Sequence, residues 1–426
     1  MSSDNGADEA GLLERLRSAL DRLTRPPLLG AVAGFLLLLL LLVSGLHLAR
    51  LEPPAGGELQ IGTGDFLAFW TGAVMLHEGH GALLYDLAAQ RQVQAKILGG
   101  VAPDFQPYLN PPLLALLLSP LVPLGYLPAF YLFDLVCVAS LAAGLAMLLR
   151  LVPAVRAQPG AGWTVAVLVA GYQPMLQTTI GGQNTAITFA LLAGFALARR
   201  NGSALGAAAA LGLLTYKPQY AVGLSVALLL AGRWRLVMAG AVAGVAHWAL
   251  GALWSGPLWP LRMLDLLATY RPLELERNAD THFSWTRVSD FLMPSPFDTV
   301  AACAGVALVL LVWWRYRDLG RRGDPAWMAL VICGTMAVSP HQQYYDVALL
   351  TLPLVLLVER SVAAHGTLSR TARLLLAAAY VGYPAWKFAD TIGIQPLFFV
   401  LVGTGAWALR CCREVEEGSA PAAAKC

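Results

Sequence analysis

A carboxylate, an ammonium, an imidazole and two amides stand out in this chain because the sequence around them is largely apolar. Asp65 follows Gly62-Thr63-Gly64 and opens the stretch Asp65–Glu78, DFLAFWTGAVMLHE. It is either the N-cap of the helix that follows or a general base that takes a hydroxyl proton at the lipid–water boundary. Lys217 lies between two apolar segments in Leu214-Thr215-Tyr216-Lys217-Pro218-Gln219. A lone ammonium there either snorkels to the interface or neutralises a phosphate at headgroup depth. In Gly181-Gly182-Gln183-Asn184 the glycines permit positive φ, and the two amides donate and accept. That corner is an ordinary turn or a binder of sugar hydroxyls. His341, in Ser339-Pro340-His341-Gln342-Gln343-Tyr344-Tyr345-Asp346, is a phosphate ligand or a loop histidine, and Asp346 reads as the cap of the next apolar segment. Asp134 lies inside the apolar stretch Leu127–Leu149. A carboxylate at bilayer depth costs roughly 2.5–3.5 kcal/mol, so it must face the protein interior and find a partner. Arg271, Arg277, Arg287 and Lys217 are the candidates. Asp134 is otherwise a binder of sugar or acceptor. His247 reads as a hydrogen-bonded core residue.

The elements that must hold these groups are membrane helices. Seven consecutive leucines, Leu36 to Leu42, sit within an apolar run from Pro27 to Leu48, and comparable runs recur almost to the C-terminus. About 20 apolar residues match the ~30 Å hydrocarbon core of a bilayer. The composition agrees, with 57% hydrophobic and 13% charged residues, against about 25% charged in soluble proteins. A net charge of +3 over 426 residues is too small and dispersed to argue for nucleic acid. The first run begins too far from Met1 for a cleavable signal and should stay as an anchor. Cys137, Cys303 and Cys333 fall in apolar segments, and Cys411, Cys412 and Cys426 are placed in the C-terminal tail. None has zinc spacing with histidine. No redox-cofactor box, phosphate-binding glycine loop, nucleophile elbow or HExxH is present, so neither a cofactor nor a metal is called for.

Spans are predicted at 27–48, 126–149, 163–180, 184–198, 203–216, 218–231, 235–254, 299–314, 326–338, 345–358, 372–386 and 393–409, about twelve in all. The positive-inside rule orders them. With the N-terminus cytoplasmic, the clusters Arg150/Arg156, Arg199/Arg200, Arg233/Arg235, Arg315–Arg322, Arg360–Arg373 and Arg410/Arg413 all fall inside. This requires Pro111–Leu124, broken by Pro120 and Pro123, to be a short re-entrant or interfacial helix. Two outer loops result, at about 50–125 and 255–298. The first carries Asp65–Glu78 as an amphipathic helix lying on the outer interface, aromatics down. Residues 1–26 form a cytoplasmic segment, 27–410 the membrane domain and 411–426 a cytoplasmic tail. Asp65, Gln183, Asn184, Lys217, His341 and the Asn278–Ser284 segment then share the outer side, although only arginines chose the topology.

The motifs have an order. Asp65-x-x-x-Phe69-Trp70 is followed by Gly79-x-x-x-Leu83-Leu84-Tyr85-Asp86, Tyr108-x-x-Pro111-Pro112-Leu113-Leu114, Gly182-Gln183-Asn184 and Tyr216-Lys217-Pro218. The series resembles glycosyltransferase family 87, whose members include polyprenyl-phosphate-mannose-dependent α-mannosyltransferases and some arabinofuranosyltransferases. The resemblance implies an all-α GT-C-type bundle in the cell membrane, with an extracytoplasmic active site. It also implies a polyprenyl-phosphate sugar as donor, a glycan or glycolipid acceptor, and inversion at the anomeric carbon. On the same grounds Asp65 corresponds to the base and Lys217 to the neutraliser of the leaving phosphate, assisted by His341 or a loop-two arginine. Gln183, Asn184 and Tyr85 would hold sugar hydroxyls, and His282 of His282-Phe283-Ser284-Trp285 matches the family's polar segment in the long outer loop. The competing class is a transporter or lipid flippase, which would place its polar site at the midplane, between two related halves.

Overall fold

A computed structural model describes residue 18 and residues 26–49, 64–100, 105–277, 282–382 and 395–418. The N-terminal segment before residue 26, apart from Ser18, lies outside the described residues. So do Asn278–Thr281, most of the connection Lys387–Gln395, and the end of the tail with Cys426.

The described chain is helical. α1 (Pro26–Ala49) is followed by α2 (Phe66–His77), α3 (Leu87–Leu98), α4 (Pro112–Leu118) and α5 (Tyr126–Leu151). Next come α6 (Ala161–Ala170), α7 (Gln173–Ile180), α8 (Thr185–Arg200), α9 (Ala204–Leu213), α10 (Pro218–Leu230) and α11 (Trp234–Ser255). The segment between α11 and the next long helix supplies α12 (Trp259–Arg277) and α13 (Trp285–Leu292). The rest is α14 (Phe297–Arg315), α15 (Pro325–Val338), a 3-10 stretch Tyr344–Leu350 running into α16 (Thr351–His365), α17 (Arg370–Gly382) and α18 (Pro396–Glu416). Four of the described helical segments are long and apolar enough to cross a membrane: Tyr126–Leu151, Trp234–Ser255, Phe297–Arg315 and Tyr344–His365. In α14 only Trp313 is buried. An apolar helix that exposes nearly all of its side chains needs lipid as its solvent.

The helix ends sort into two groups. At one end the arginines of the connections satisfy terminal carbonyls, which a helix leaves unpaired. Arg200 donates to the Leu151 carbonyl at 2.9 Å, Arg199 to Gly320 at 2.9 Å and Arg321 to Ala231 at 3.1 Å. At the same end the Glu359 carboxylate accepts from the amides of Ala154 and Val155, both at 2.9 Å. The opposite ends of α8, α10, α15 and α16, with the α5 ring stack from Tyr126 to Phe133 and Cys137 at the middle of α5, gather around Asp65, the Gly181–Thr185 corner, Lys217 and the 339–346 segment.

Three expectations change, and Pro111–Leu124 keeps the short, proline-broken form expected of it. The predicted span 163–180 is two helices, broken at Gly171 and Tyr172. Asp65–Glu78 is not a two-faced surface helix, since every residue from Phe66 to Leu76 is buried. Phe66 alone meets the rings of Trp70, Tyr126, Phe130 and Phe133 at 5.2–5.9 Å. A helix apolar on all sides is a core helix. Pro111–Leu124 forms α4 and a 3-10 turn, Ser119–Leu124, and α4 packs against α2. Finally, α18 runs on to Glu416, which places Cys411 and Cys412 in a helix, 1% and 0% exposed, rather than in a tail.

Candidate functional site

The site grows from a contact between two glycines. Gly64 has φ +54°, and a Cβ there would stand 2.4 Å from the Gly181 carbonyl oxygen. Because neither residue has a side chain in the way, the Asp65 amide reaches that carbonyl at 2.9 Å. Asp65 stands at the head of α2, and its side chain makes no cap bond to the first turn. Capping therefore does not occupy its carboxylate. Gly182, with φ +61°, turns the chain into Gln183 and Asn184, which are 4% and 1% exposed.

The corner is held from below and from the side. The Cys137 thiol of α5 donates to the Gln183 carbonyl at 3.4 Å. Tyr216 donates to the Asn184 carbonyl at 3.0 Å, and its hydroxyl lies 2.5 Å from that of Thr188. Asn184 leads α8, and Thr185 donates to Asp346 Oδ1 at 3.0 Å. The same carboxylate oxygen receives the Lys217 ammonium, which also lies 3.5 Å from the Thr185 hydroxyl. Both charges are withdrawn from solvent, with side-chain exposures of 8% for Lys217 and 1% for Asp346. The rings of Tyr345 and Tyr220 flank the ammonium at 5.6 and 6.0 Å. Lys217 is thus no lone cation: a carboxylate 129 residues away neutralises it. Among the described residues neither Lys217 nor an arginine satisfies Asp134 Oδ1, a buried atom without a hydrogen bond on a half-buried residue of α5.

A second layer comes from the segment that leads into α13. His282 pairs with Gln343 in an isolated antiparallel bridge, and Gln343 Nε2 donates to His282 Nε2 at 2.9 Å. The ring of His341 stands edge-on to that of His282, 6.0 Å between centroids. The Phe283 amide donates to the Gln342 carbonyl at 3.4 Å, while Gln342 Nε2 donates to the Tyr220 hydroxyl at 2.7 Å.

Asp65 and Lys217 thus attach to opposite ends of one corner. Residues 181 and 185 are four Cα steps apart, which bounds their separation at ~15 Å. Tyr85 belongs to the first loop's own framework: its hydroxyl donates to the Asn110 carbonyl at 3.0 Å. Burial pushes that phenol above its ordinary pKa, so it stays protonated. His247 is the core residue expected, bonded to the Thr215 hydroxyl at 2.9 Å and stacked on Trp259. Sequence reasoning missed Asp346, Thr185 and Gln342 as site residues. One signal was available: an aspartate opening an apolar segment needs a counter-charge, and Lys217 faced the same end.

Beneath the cluster lies an apolar cavity of about 430 Å³ among α6, α16 and α17. Its lining includes Tyr172, which leads through α7 into the glycine corner, and Thr351, which follows the stretch bearing Asp346. It also includes Gln158 and Gly366–Leu368, beside the arginine-rich connections. Apart from Thr164, Tyr172, Thr351 and Tyr380, its helical walls are aliphatic.

Compared with known families, residues 108–340 match the model of glycosyltransferase family 87, more than half of the chain. No curated protein matches it.

Proposed function

This chain belongs to glycosyltransferase family 87 and is a membrane glycosyltransferase, and we propose that it moves a sugar from a polyprenyl phosphate to a glycan or lipid acceptor outside the cytoplasm. Asp65 is the base. The acceptor hydroxyl gives its proton to the Asp65 carboxylate as its oxygen attacks the anomeric carbon. The bond from that carbon to the phosphate oxygen breaks, and polyprenyl phosphate leaves with the electron pair, so configuration inverts. The supporting observation is that the Asp65 amide donates to the Gly181 carbonyl at 2.9 Å, which sets residue 65 at the corner whose other end, Thr185, binds Asp346, the partner of Lys217. Because Asp346 already neutralises Lys217, that ammonium can only share itself with the phosphate. His341 and the second-loop residue Arg287 are the remaining partners for its charge. The apolar cavity starting at Tyr172 and Thr351 suits the prenyl chain. A lipid-linked donor also fits a bundle of about twelve spans with cytoplasmic termini and the polar cluster at the outer boundary. Polar groups collected at the ends of α8, α10, α15 and α16 favour transfer over transport.

The test is purified full-length protein incubated with short-chain prenyl phosphates carrying mannose, glucose, galactose or arabinofuranose, with acceptor glycans and lipids followed by mass spectrometry. Transfer is expected from one of these donors, and Asp65→Asn should lower it by roughly 10²–10⁴-fold with unchanged thermal unfolding. Normal turnover by the variant removes Asp65 as base.

A further inference from the structure

The cluster leaves polar atoms over. Asn184 is 1% exposed, and neither its side-chain oxygen nor its nitrogen has a hydrogen bond. Asp346 is 1% exposed and uses Oδ1 for Lys217 and Thr185, while Oδ2 has no partner. Gln342 is 0% exposed and gives its amide N–H to Tyr220, while Oε1 has no partner. Buried side-chain groups are nearly always satisfied, so each such atom needs an explanation. These three residues come from two separate stretches, and one chain of contacts joins them. Asn184 adjoins Thr185, Thr185 binds Asp346, Asp346 binds Lys217, and Lys217 sits over Tyr220, the partner of Gln342.

The open atoms have a definite character. Asn184 Oδ1, Asp346 Oδ2 and Gln342 Oε1 accept, and Asn184 Nδ2 donates. A phosphate offers only acceptors and negative charge, so it would meet three acceptors, one of them a carboxylate oxygen. A sugar ring offers several O–H donors with acceptor lone pairs on the same atoms, which matches the set. We propose that Asp346, Asn184 and Gln342 form the subsite for the sugar ring of the donor. Asp346 Oδ2 and the Asn184 amide take its hydroxyls, while Lys217 orients the Asp346 carboxylate through Oδ1. The proposal rests on the glycosyltransferase reading and deepens it: Asp346 Oδ2, Asn184 and Gln342 select the sugar, and the phosphate shares the Lys217 ammonium beyond them.

The experiment uses full-length enzyme and the prenyl-phosphate sugar that wild type turns over in the panel above, supplied intact and as each monodeoxy form. For wild type, at least one deoxy donor should lose roughly 10- to 100-fold in kcat/KM, the range for a hydrogen bond to a charged group. In Asp346→Asn the loss at one ring position should shrink to within about threefold, because the partner of that hydroxyl is already altered. Asn184→Ala leaves the ion pair intact and should level the penalty at the same or a neighbouring position, which keeps the test valid if Asp346→Asn folds poorly. Wild-type turnover with the same deoxy profile in wild type, Asp346→Asn and Asn184→Ala overturns the subsite alone. A wild type inert with every donor overturns the glycosyl-transfer reading and the subsite with it.

Discussion

Lys217→Met should destabilise the protein far more than the loss of an exposed cation would. An exposed pair is worth about 0–1 kcal/mol, but here the two side chains are 8% and 1% exposed. Without the ammonium, Asp346 Oδ1 keeps only the Thr185 hydroxyl, and the carboxylate stays buried. Removing one member of a buried pair costs roughly 3–5 kcal/mol, a ~100- to 4,000-fold fall in the folded-to-unfolded ratio. Asp346→Leu strands the ammonium instead, but the rings of Tyr220 and Tyr345 remain beside it. Their attraction returns about 0.5–2 kcal/mol, so this variant should lose less. The double variant Lys217→Met/Asp346→Leu removes both charges together with both desolvation penalties, and should unfold near wild type while transferring no sugar. The assay is reversible denaturation of full-length protein in micelles, followed by tryptophan fluorescence, with the four proteins treated as a double-mutant cycle. If the single losses add to that of the double within about 0.5 kcal/mol, the pair is not coupled and the argument fails.

Other outcomes follow from single features. Gly64→Ala places a methyl group 2.4 Å from the Gly181 carbonyl oxygen at φ +54°. It should lose roughly 1–3 kcal/mol of stability along with the Asp65 contact, and wild-type unfolding and turnover would contradict the close approach. Val358→Trp fills the apolar cavity from α16. It should raise KM severalfold for a long-chain prenyl donor and leave a short-chain donor unaffected, whereas equal KM values for the two would take the chain out of this cavity. For orientation, cysteines placed at the exposed His80 and Arg322 in a cysteine-free background should react with impermeant maleimide from outside and from inside, respectively. Gln183 is too buried to report. Reaction of His80→Cys from the cytoplasm alone would invert the topology.

The fold was legible wherever a property accumulates along the chain. Runs such as Leu127–Leu149 are long enough to outweigh local detail, and their helices end within a few residues of the expected bounds. Arginine clusters mark one end of the bundle because they cap the carbonyls there, so their spacing alone located the connections. The family could be read for a similar reason, since motif order survives even where each motif is short. Asp65–Glu78 was misread because spacing of large residues suggests one apolar face and cannot show that a neighbour such as α4 covers the other. The α18 boundary slipped because Arg410 and Arg413 look like an exit from the membrane, whereas Arg413 pairs with Glu417 at 2.7 Å and helps the helix continue.

The sequence by itself determined that this is a membrane-embedded helical protein, which residues are too polar for their surroundings, and which end of the bundle holds them. Those conclusions depend on composition and period, which are local. Only the tertiary structure decided the partnerships. It gave Lys217 to Asp346 rather than to Asp134, engaged Tyr85 with Asn110, and left the Asn184 amide and one Asp346 oxygen open inside the protein. The reason is that a charge's partner depends on distance in space. Segments 129 residues apart come within hydrogen-bonding reach only after the helices have packed.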